Sequence, residues 1–250
     1  MTKKDLPSIK DWILSSIEHY FKKTNLIYLV RYALIQLLIA AVFVYWVVPN
    51  PGEDLGVGSP GFILGTVHFL IYGFFSLWIY LATLVGVSQV VDQKEKSMKK
   101  SFLIAIKRMW WVFLTVITVL LMFVAFGLFV SLCSVVATLL FGATVQSFMV
   151  NGVMYIFAIF LGVLFFFSHY IAVTTTAGPI RSLKKSRDLV RGRFWVVFLR
   201  FVLYIFFFWI VRVTMSIFLF PLAYNLVSTL LSPYFLVLSF ILYKDLRDSV

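Results

Sequence analysis

Six long apolar stretches divide the chain, and most of the charged residues lie between them. A helix needs about 20 consecutive apolar residues to cross the roughly 30 Å hydrocarbon core of a bilayer, and each stretch is about that long or longer. The pattern therefore predicts an all-α integral membrane protein, a single polytopic domain over residues 1–250 with six transmembrane helices. The predicted spans cover residues 26–48, 61–91, 109–136, 152–177, 194–215 and 225–243.

The segment before the first span has a different, amphipathic pattern. In residues 1–25, apolar side chains such as Ile9, Trp12 and Ile13 recur at helical spacing among charged ones. This pattern predicts a helix that lies on the cytoplasmic membrane surface, with Pro7 in its first turn. The first span is long and lacks a cleavage-site pattern, so we expect an uncleaved span and not a signal peptide.

Two basic islands, residues 92–108 and 178–193, connect spans 2 and 3 and spans 4 and 5. The first island has one apolar stripe at helical spacing, formed by Met98, Phe102, Ala105 and Met109. The stripe predicts a helix that lies flat beneath its basic residues. In the second island, Pro179 suits a first helical turn and Gly192 suits a helix end.

Turn-forming residues predict the other connections. Pro49 ends span 1 before a loop that contains Glu53 and Asp54. Small and polar residues predict a loop over 142–151, and Pro233 predicts a kink in span 6.

Composition confirms the membrane class and narrows the chemistry. Hydrophobic residues make up 62% of the chain, charged residues 13%, and the mean hydropathy is +1.00. These values lie outside the range of soluble domains. The single cysteine, Cys133, permits no disulfide framework, and no spaced group of metal-ligating residues is present, so we expect no cofactor or metal. The net charge of +12 does not predict nucleic-acid binding, because the charges lie in islands between spans.

Lysine and arginine are distributed unevenly between the two sides. They occur before span 1, in both islands and after span 6, whereas the three opposite loops have none. The positive-inside rule therefore predicts that both termini and both islands are cytoplasmic. Aromatic residues fit this orientation: Trp110, Trp111 and Trp195 begin spans at the inner interface, and Tyr45 and Trp46 end one at the outer interface.

A weak repeat with an offset of 85 residues runs along the chain. Ser16, Ser101 and Ser186 are equally spaced, and so is a second set, Lys23, Arg108 and Arg193. The predicted unit is a surface helix followed by an outward and a returning span, in three pseudo-repeated hairpins. The two islands match each other well. Whether the first copy is genuine stays open, and the last returning span is shorter than a strict copy.

The second island carries a resemblance to a known family. From Ala177 to Trp195 the sequence is A-G-P-I-R-S-L-K-K-S-R-D-L-V-R-G-R-F-W, and the chain closes with L-Y-K-D-L-R from Leu242 to Arg247. These stretches resemble the membrane domain found with bacterial glycerophosphoryl diester phosphodiesterases, and related small polytopic families of unknown function. In that family the domain can precede a soluble phosphodiesterase barrel, which these 250 residues do not contain. The resemblance therefore implies a fold and a bacterial membrane setting, and not the hydrolytic activity.

The basic residues of the islands are candidate contacts for anionic lipid headgroups. Generic anchoring and topology are favoured over a specific site as the explanation of these residues. The predicted headgroup contacts are Lys99, Lys100, Lys107, Arg108, Lys184, Lys185, Arg187, Arg191, Arg193 and Arg200.

Ionisable residues within spans are functional candidates by default. The possible intramembrane polar site consists of His68, His169, Arg31 and Arg212. The structural interpretation is favoured over a functional one, because a neighbouring hydroxyl or carbonyl can satisfy each histidine and the arginines can extend to the interface. No Asp or Glu lies inside a span, which disfavours a proton-coupled or cation-coupled carrier.

These patterns favour a non-enzymatic membrane protein that engages anionic lipid headgroups, as a scaffold or accessory in lipid handling or envelope maintenance. The expected partners are membrane phospholipids, with a homo-oligomer or another membrane protein as further possibilities. The alternative is a small-solute or lipid permease or pore formed between the repeats, where glycines such as Gly65, Gly86 and Gly127 permit close packing or a pathway. A lipid enzyme ranks third, because the sequence has no nucleophile and base pair.

Overall fold

The computed structural model describes residues 6–47, 60–141, 143–218 and 221–249. Within these residues the chain forms nine α-helices. They are α1 (Ile9–Phe21), α2 (Lys23–Val47), α3 (Pro60–Val91), α4 (Met98–Phe141), α5 (Ala143–Phe165), α6 (Ser168–Thr174), α7 (Pro179–Val190), α8 (Phe194–Phe218) and α9 (Pro221–Asp248). The acidic loop with Glu53 and Asp54 lies outside the described residues, as do the side chains of Tyr45 and Trp46.

Six segments of these helices are long and apolar enough to cross a membrane, which confirms the prediction of six spans. They are Lys23–Phe43, Gly65–Val91, Met98–Val135, Gly152–Thr174, Phe194–Ile217 and Val227–Asp248. The protein is therefore a helical, multi-pass membrane protein by length and composition.

The chain forms two compact units. One contains Trp110–Leu203 and the C-terminal residues from Leu246, and the other contains the chain up to Met109 and Tyr204–Asp245. Helices α4, α8 and α9 each contribute residues to both units.

Helix α1 begins later than the sequence pattern suggests. Ser8 is its N-cap: the Ser8 hydroxyl accepts a 3.1 Å bond from the Asp11 N–H and donates to the Asp11 carboxylate at 2.6 Å. Such a cap satisfies an N–H group that the first helical turn would leave unpaired. Pro7 consequently lies just outside the helix and not in its first turn.

The buried face of α1 packs on α9 in an antiparallel register. The Trp12 indole donates to the Leu238 carbonyl at 2.9 Å, and the Tyr20 hydroxyl donates to the Leu230 carbonyl at 2.8 Å. Between them, the hydroxyls of Ser16 and Tyr234 lie 3.4 Å apart. Burial raises the pKa of Tyr20 to about 12, so its phenol stays protonated and able to donate at neutral pH.

Pro233 accounts for part of this contact. A proline inside a helix cannot donate to the carbonyl four residues earlier, here that of Thr229. The Ser232 hydroxyl donates to this carbonyl instead, at 2.8 Å. The adjacent Leu230 carbonyl is the acceptor for Tyr20. The Ser232 hydroxyl thus replaces the donor that Pro233 lacks, and the neighbouring carbonyl holds α1.

The first basic island does not form a separate helix that lies flat. Its helical part is the beginning of α4, which runs without a break from Met98 to Phe141. Between Lys107 and span 3 the sequence has no glycine or proline that would end a helix. At 1.5 Å per residue, the 44 residues extend about 66 Å, well beyond the hydrocarbon core. The island is therefore a continuation of span 3.

The second island ends as predicted. Gly192 has φ 80°, a left-handed conformation that favours glycine, and it separates α7 from α8. Pro179 occupies the first helical turn of α7 after an extended Gly178.

Span 4 differs from the prediction at both ends. Residues 143–151, expected as a loop, belong to α5, while Gly142 lies outside the described residues. The expected continuous span over 152–177 is broken at Phe166 and Phe167, between α5 and α6. At the break, the buried Ser168 hydroxyl donates to the Phe165 carbonyl at 2.6 Å and satisfies a group that the helix end leaves open.

Candidate functional site

Helix α7 presents a basic face opposite a buried one. Ser182, Leu183, Ser186 and Val190 are buried. The Ser186 hydroxyl donates to the Leu164 carbonyl of α5 at 2.7 Å, which joins the two helices. The basic residues of the other face are exposed: Arg181, Lys184, Lys185, Arg187 and, at the helix C-cap, Arg191. This part of the predicted headgroup surface is therefore available for contact.

The basic residues at the start of α4 are also mostly exposed. Lys99, Lys100 and Lys107 are exposed, and Arg108 is half-buried. The Lys100 ammonium lies 2.8 Å from the Glu95 carboxylate. This hydrogen bond and the charge of Lys100 lower the pKa of Glu95. Lys100 is thus partly neutralised within the protein, whereas Lys99 and Lys107 face outward.

Two predicted headgroup contacts are engaged elsewhere. The Arg193 guanidinium donates to the hydroxyl of Ser249 and, at 3.3 Å, to its carbonyl. It holds the C-terminal end of α9 and does not extend freely to the surface. Arg200 is only 3% exposed, so it cannot reach headgroups by extending along α8. The sequence did not predict either outcome, because both depend on packing between distant segments.

The four residues of the possible intramembrane site have separate settings. Arg31 and Arg212 are exposed, and the Arg212 guanidinium lies 5.5 Å from the centre of the Phe208 ring, in a cation–π contact. His68 is partly exposed on α3. His169 lies on α6, edge-on to Phe166 with ring centres 5.8 Å apart. Arg212 and His169 thus contact aromatic rings a few residues earlier in the chain, as side chains that pack along a helix do.

A buried hydroxyl network lies where α2, α3 and the start of α4 meet. The Tyr28 hydroxyl donates to the Gln89 amide oxygen at 2.7 Å and lies 2.8 Å from the Tyr32 hydroxyl and 3.4 Å from that of Ser101. The Ser97 N–H donates to the same Gln89 oxygen at 3.1 Å. A polar network whose members are bonded rigidifies a core. The sequence contains one signal for this network, since Tyr28 and Tyr32 lie one helical turn apart and Gln89 lies in an apolar run. This signal can be recognised only when the contacts are known.

Charged side chains of α9 and of the connection after α3 hold the C-terminal end of α3. The Lys244 ammonium donates to the Val91 carbonyl at 3.1 Å and lies 3.9 Å from the Asp92 carboxylate. Asp92 also pairs with Lys94 at 2.9 Å. A cation at this helix end offsets the negative end of the helix dipole and the Asp92 charge.

A polar cleft of about 450 Å³ lies beside the C-terminal end of α3, in the unit that contains α1 to α3. Its walls come from the end of α1, the start of α2 and the connection between α3 and α4. The lining residues are Glu18, His19, Lys22, Thr24, Asn25, Val90, Gln93, Lys94 and Lys96. Sequence reasoning did not identify this cleft, because its residues come from segments about 70 positions apart.

Ser15 and His19 lie close together but do not form a nucleophile and base pair. The His19 Nδ1 atom lies 2.8 Å from the Ser15 carbonyl and 3.5 Å from its hydroxyl. A carbonyl only accepts hydrogen bonds, so Nδ1 carries the proton and cannot accept one from the serine. Among the described residues, no group of three or more His, Cys, Asp or Glu side chains could hold a metal ion.

Comparison with known proteins provides no match: no family model, no curated protein and no solved structure is similar to this chain. The functional argument therefore depends on the residues and their arrangement.

Proposed function

We propose that this chain is a non-enzymatic, multi-pass protein of the bacterial cytoplasmic membrane that engages anionic phospholipid headgroups. Its role would be that of a scaffold or accessory in lipid handling or envelope maintenance. The basic face of α7 is the observation that supports this most directly. Its buried face holds the helix in the protein, so the five exposed cations stay together. Each basic residue near an anionic leaflet gains about 1 kcal/mol.

The proposed setting and orientation rest on the sequence. The uneven distribution of lysine and arginine supports cytoplasmic termini and a cytoplasmic α7. The resemblance of residues 177–195 to the membrane domain of bacterial glycerophosphoryl diester phosphodiesterases supports a bacterial membrane. Both inferences remain proposals.

We also propose that the chain consists of three related hairpin copies. The three serines at the 85-residue offset, Ser16, Ser101 and Ser186, are all fully buried. One turn later, the equivalent residues Tyr20, Ala105 and Val190 are buried as well. Matching burial in three helices of different composition supports a common ancestral unit, including the first copy.

The contacts of these helices support the same proposal. Near Ser16, α1 packs on α9, the returning span of the third copy. The Trp78 indole of α3 donates to the Phe102 carbonyl at the start of α4, at 3.1 Å, and Ser186 of α7 bonds to α5. In each case the first helix of a copy contacts the returning span of another copy.

The lipid proposal is tested by neutralising the exposed face of α7. In a variant with Lys184→Gln, Lys185→Gln, Arg187→Gln and Arg191→Gln, we expect the purified protein to retain at least about tenfold less phosphatidylglycerol, because each removed cation loses about 1 kcal/mol and about 1.4 kcal/mol is already tenfold. Native mass spectrometry of the detergent-solubilised protein measures the retained lipid.

The matched control exchanges the same cations without removing charge, with Lys184→Arg, Lys185→Arg, Arg187→Lys and Arg191→Lys. It should retain phosphatidylglycerol as the unmodified protein does. If the neutralised variant keeps its full lipid complement and its membrane orientation, the proposed function is wrong.

A further inference from the structure

The polar cleft lies at the same end of two predicted spans. Lys22 and Thr24 flank the start of α2, where the first span begins, and Val90 and Gln93 flank the end of α3, where the second span finishes. Residues at this level of a membrane protein meet lipid headgroups and not acyl chains. The position of the cleft therefore suits a ligand that occurs at the membrane surface.

The charge of the cleft is positive. Lys22, Lys94 and Lys96 contribute three ammonium groups to its lining, against the single carboxylate of Glu18. Lys94 is paired with Asp92 at 2.9 Å, so Lys22 and Lys96 are the main candidates for an added anion. The Lys96 ammonium lies 3.5 Å from the Thr24 hydroxyl. A cation of the connection between α3 and α4 thus lies next to a hydroxyl at the start of α2.

The rim of the cleft contains a residue in an unfavourable backbone conformation. Gln93 has φ 53° at the end of α3, where the Lys94 N–H bonds to the Gln89 carbonyl at 2.9 Å and the Gln93 N–H bonds to the Val90 carbonyl at 3.3 Å. This pair of bonds is a Schellman motif, in which glycine is the usual residue at the left-handed position. A glutamine adopts that conformation at a cost, and its side chain lines the cleft. Such strain is characteristic of ligand-binding positions.

We propose that this cleft binds a phosphate group, carried by a lipid headgroup or by a small soluble phosphate ester. Lysine ammonium groups, a threonine hydroxyl and a glutamine amide are donors suited to phosphate oxygens. The volume of about 450 Å³ lies within the ~300–1,000 Å³ of small-ligand pockets and accommodates a glycerophosphate-sized group. This inference rests on the proposed function and deepens it, since it adds one defined site to the general attraction of α7.

The test compares two double variants that remove the same charge. Lys22→Gln with Lys96→Gln changes the cleft, and Lys10→Gln with Lys23→Gln changes two exposed lysines of the same region that do not line it. The probes are glycerol 3-phosphate, measured by isothermal titration calorimetry in a neutral detergent, and phosphatidylglycerol, counted by native mass spectrometry. Both use the full chain at about 0.15 M salt, where remote surface charges are screened.

We expect the cleft variant to weaken binding of one probe about tenfold, and the control to change it less than about twofold. Loss of glycerol 3-phosphate binding identifies a soluble ester as the ligand. Loss of one retained phosphatidylglycerol, without glycerol 3-phosphate binding, identifies a headgroup. Equal effects of the two double variants, or no binding of either probe by the unmodified protein, would overturn the proposal.

Gln93→Gly provides a variant that should fold at least as well as the unmodified protein. Glycine removes the backbone strain, so the thermal midpoint should stay the same or rise, while the loss of the amide should weaken phosphate binding. Unchanged binding in both this variant and the cleft lysine variant contradicts the inference. If the α7 variant keeps its lipid while the cleft variant loses it, the role of the α7 basic face in headgroup binding fails and the cleft site stands. If instead the α7 variant loses its lipid while the cleft variant binds both probes as the unmodified protein does, the cleft inference fails and the proposed function stands.

Discussion

Gly86 of α3 determines how closely α2 and α3 approach each other. A Cβ atom added there would lie 2.8 Å from the hydroxyl of Tyr32 and 2.9 Å from two of its ring carbons. Tyr32 is fully buried, and its hydroxyl is held by Tyr28 at 2.8 Å, so the ring has little freedom to move away. Gly65 and Gly73 have no atom within 4 Å of such a Cβ, so close packing explains Gly86 and not these two.

We therefore predict that Gly86→Ala destabilises the protein. Overpacking costs about 1–3 kcal/mol, which exceeds the gain of about 0.5–1 kcal/mol for alanine over glycine in a helix. The matched control, Gly73→Ala in the same helix, should be neutral or stabilising because its site is open. Thermal unfolding in detergent measures both variants, and equal midpoints would show that Tyr32 can move.

At the scale of single elements, the two basic islands differ because of one residue. Gly192 adopts a left-handed conformation and ends the second island, so α7 and α8 are separate helices. The residue 85 positions earlier is Lys107, which lies inside the continuous helix α4. The two islands therefore produce a separate helix in one case and the beginning of a longer helix in the other, because only glycine turns the chain there without strain.

Gly192→Ala should accordingly destabilise the junction between α7 and α8. A residue with a Cβ atom in the left-handed region costs about 1–2 kcal/mol. Gly178→Ser, at the other end of the same island, should be tolerated, because the backbone of Gly178 is extended and serine is a good N-cap. The measurement is the thermal midpoint of each variant. A result in which Gly178→Ser is the more damaging change would contradict this assignment.

At the scale of the whole molecule, six helical segments that can cross a membrane define the architecture. An even number of spans places both termini on one side, and the basic islands predict that this side is the cytoplasm. The proposed lipid contacts and the cleft both depend on this orientation, because anionic headgroup attraction is strongest at the cytoplasmic leaflet.

Thiol labelling tests the orientation. In a Cys133→Ser background, which removes the exposed native thiol, a cysteine at Lys185→Cys should react with a membrane-impermeant reagent only in inverted vesicles. A cysteine at Glu53→Cys should react only in right-side-out vesicles, because positively charged segments are retained inside. Labelling of both positions from the same side would contradict the six-span topology.

Much of the architecture could be predicted from the sequence, because the tendency to enter lipid is a sum over neighbouring residues. The start of span 5 at Phe194, the end of span 2 at Val91 and the helix end at Gly192 all agree with the structure. These features are local: each depends on a run of apolar residues or on one glycine.

The sites could be predicted only in part. The exposed cations of α7 followed from its amphipathic pattern, whereas Arg193 and Arg200 did not behave as surface residues. Whether a long cation reaches lipid depends on which distant segment lies beside it, and for Arg193 that segment contains Ser249. The break after Phe165 is similar, since no glycine or proline marks it.

The sequence alone thus determined the class of protein, the six spans and the basic islands, because hydropathy and charge act along the chain. Only the tertiary structure decided the contact of α1 with α9, the hydroxyl network around Tyr28 and the polar cleft beside Gln93. The physical reason is that hydrogen bonds and cavities require atoms from separate segments to lie within a few ångströms, and local composition does not specify which segments will meet.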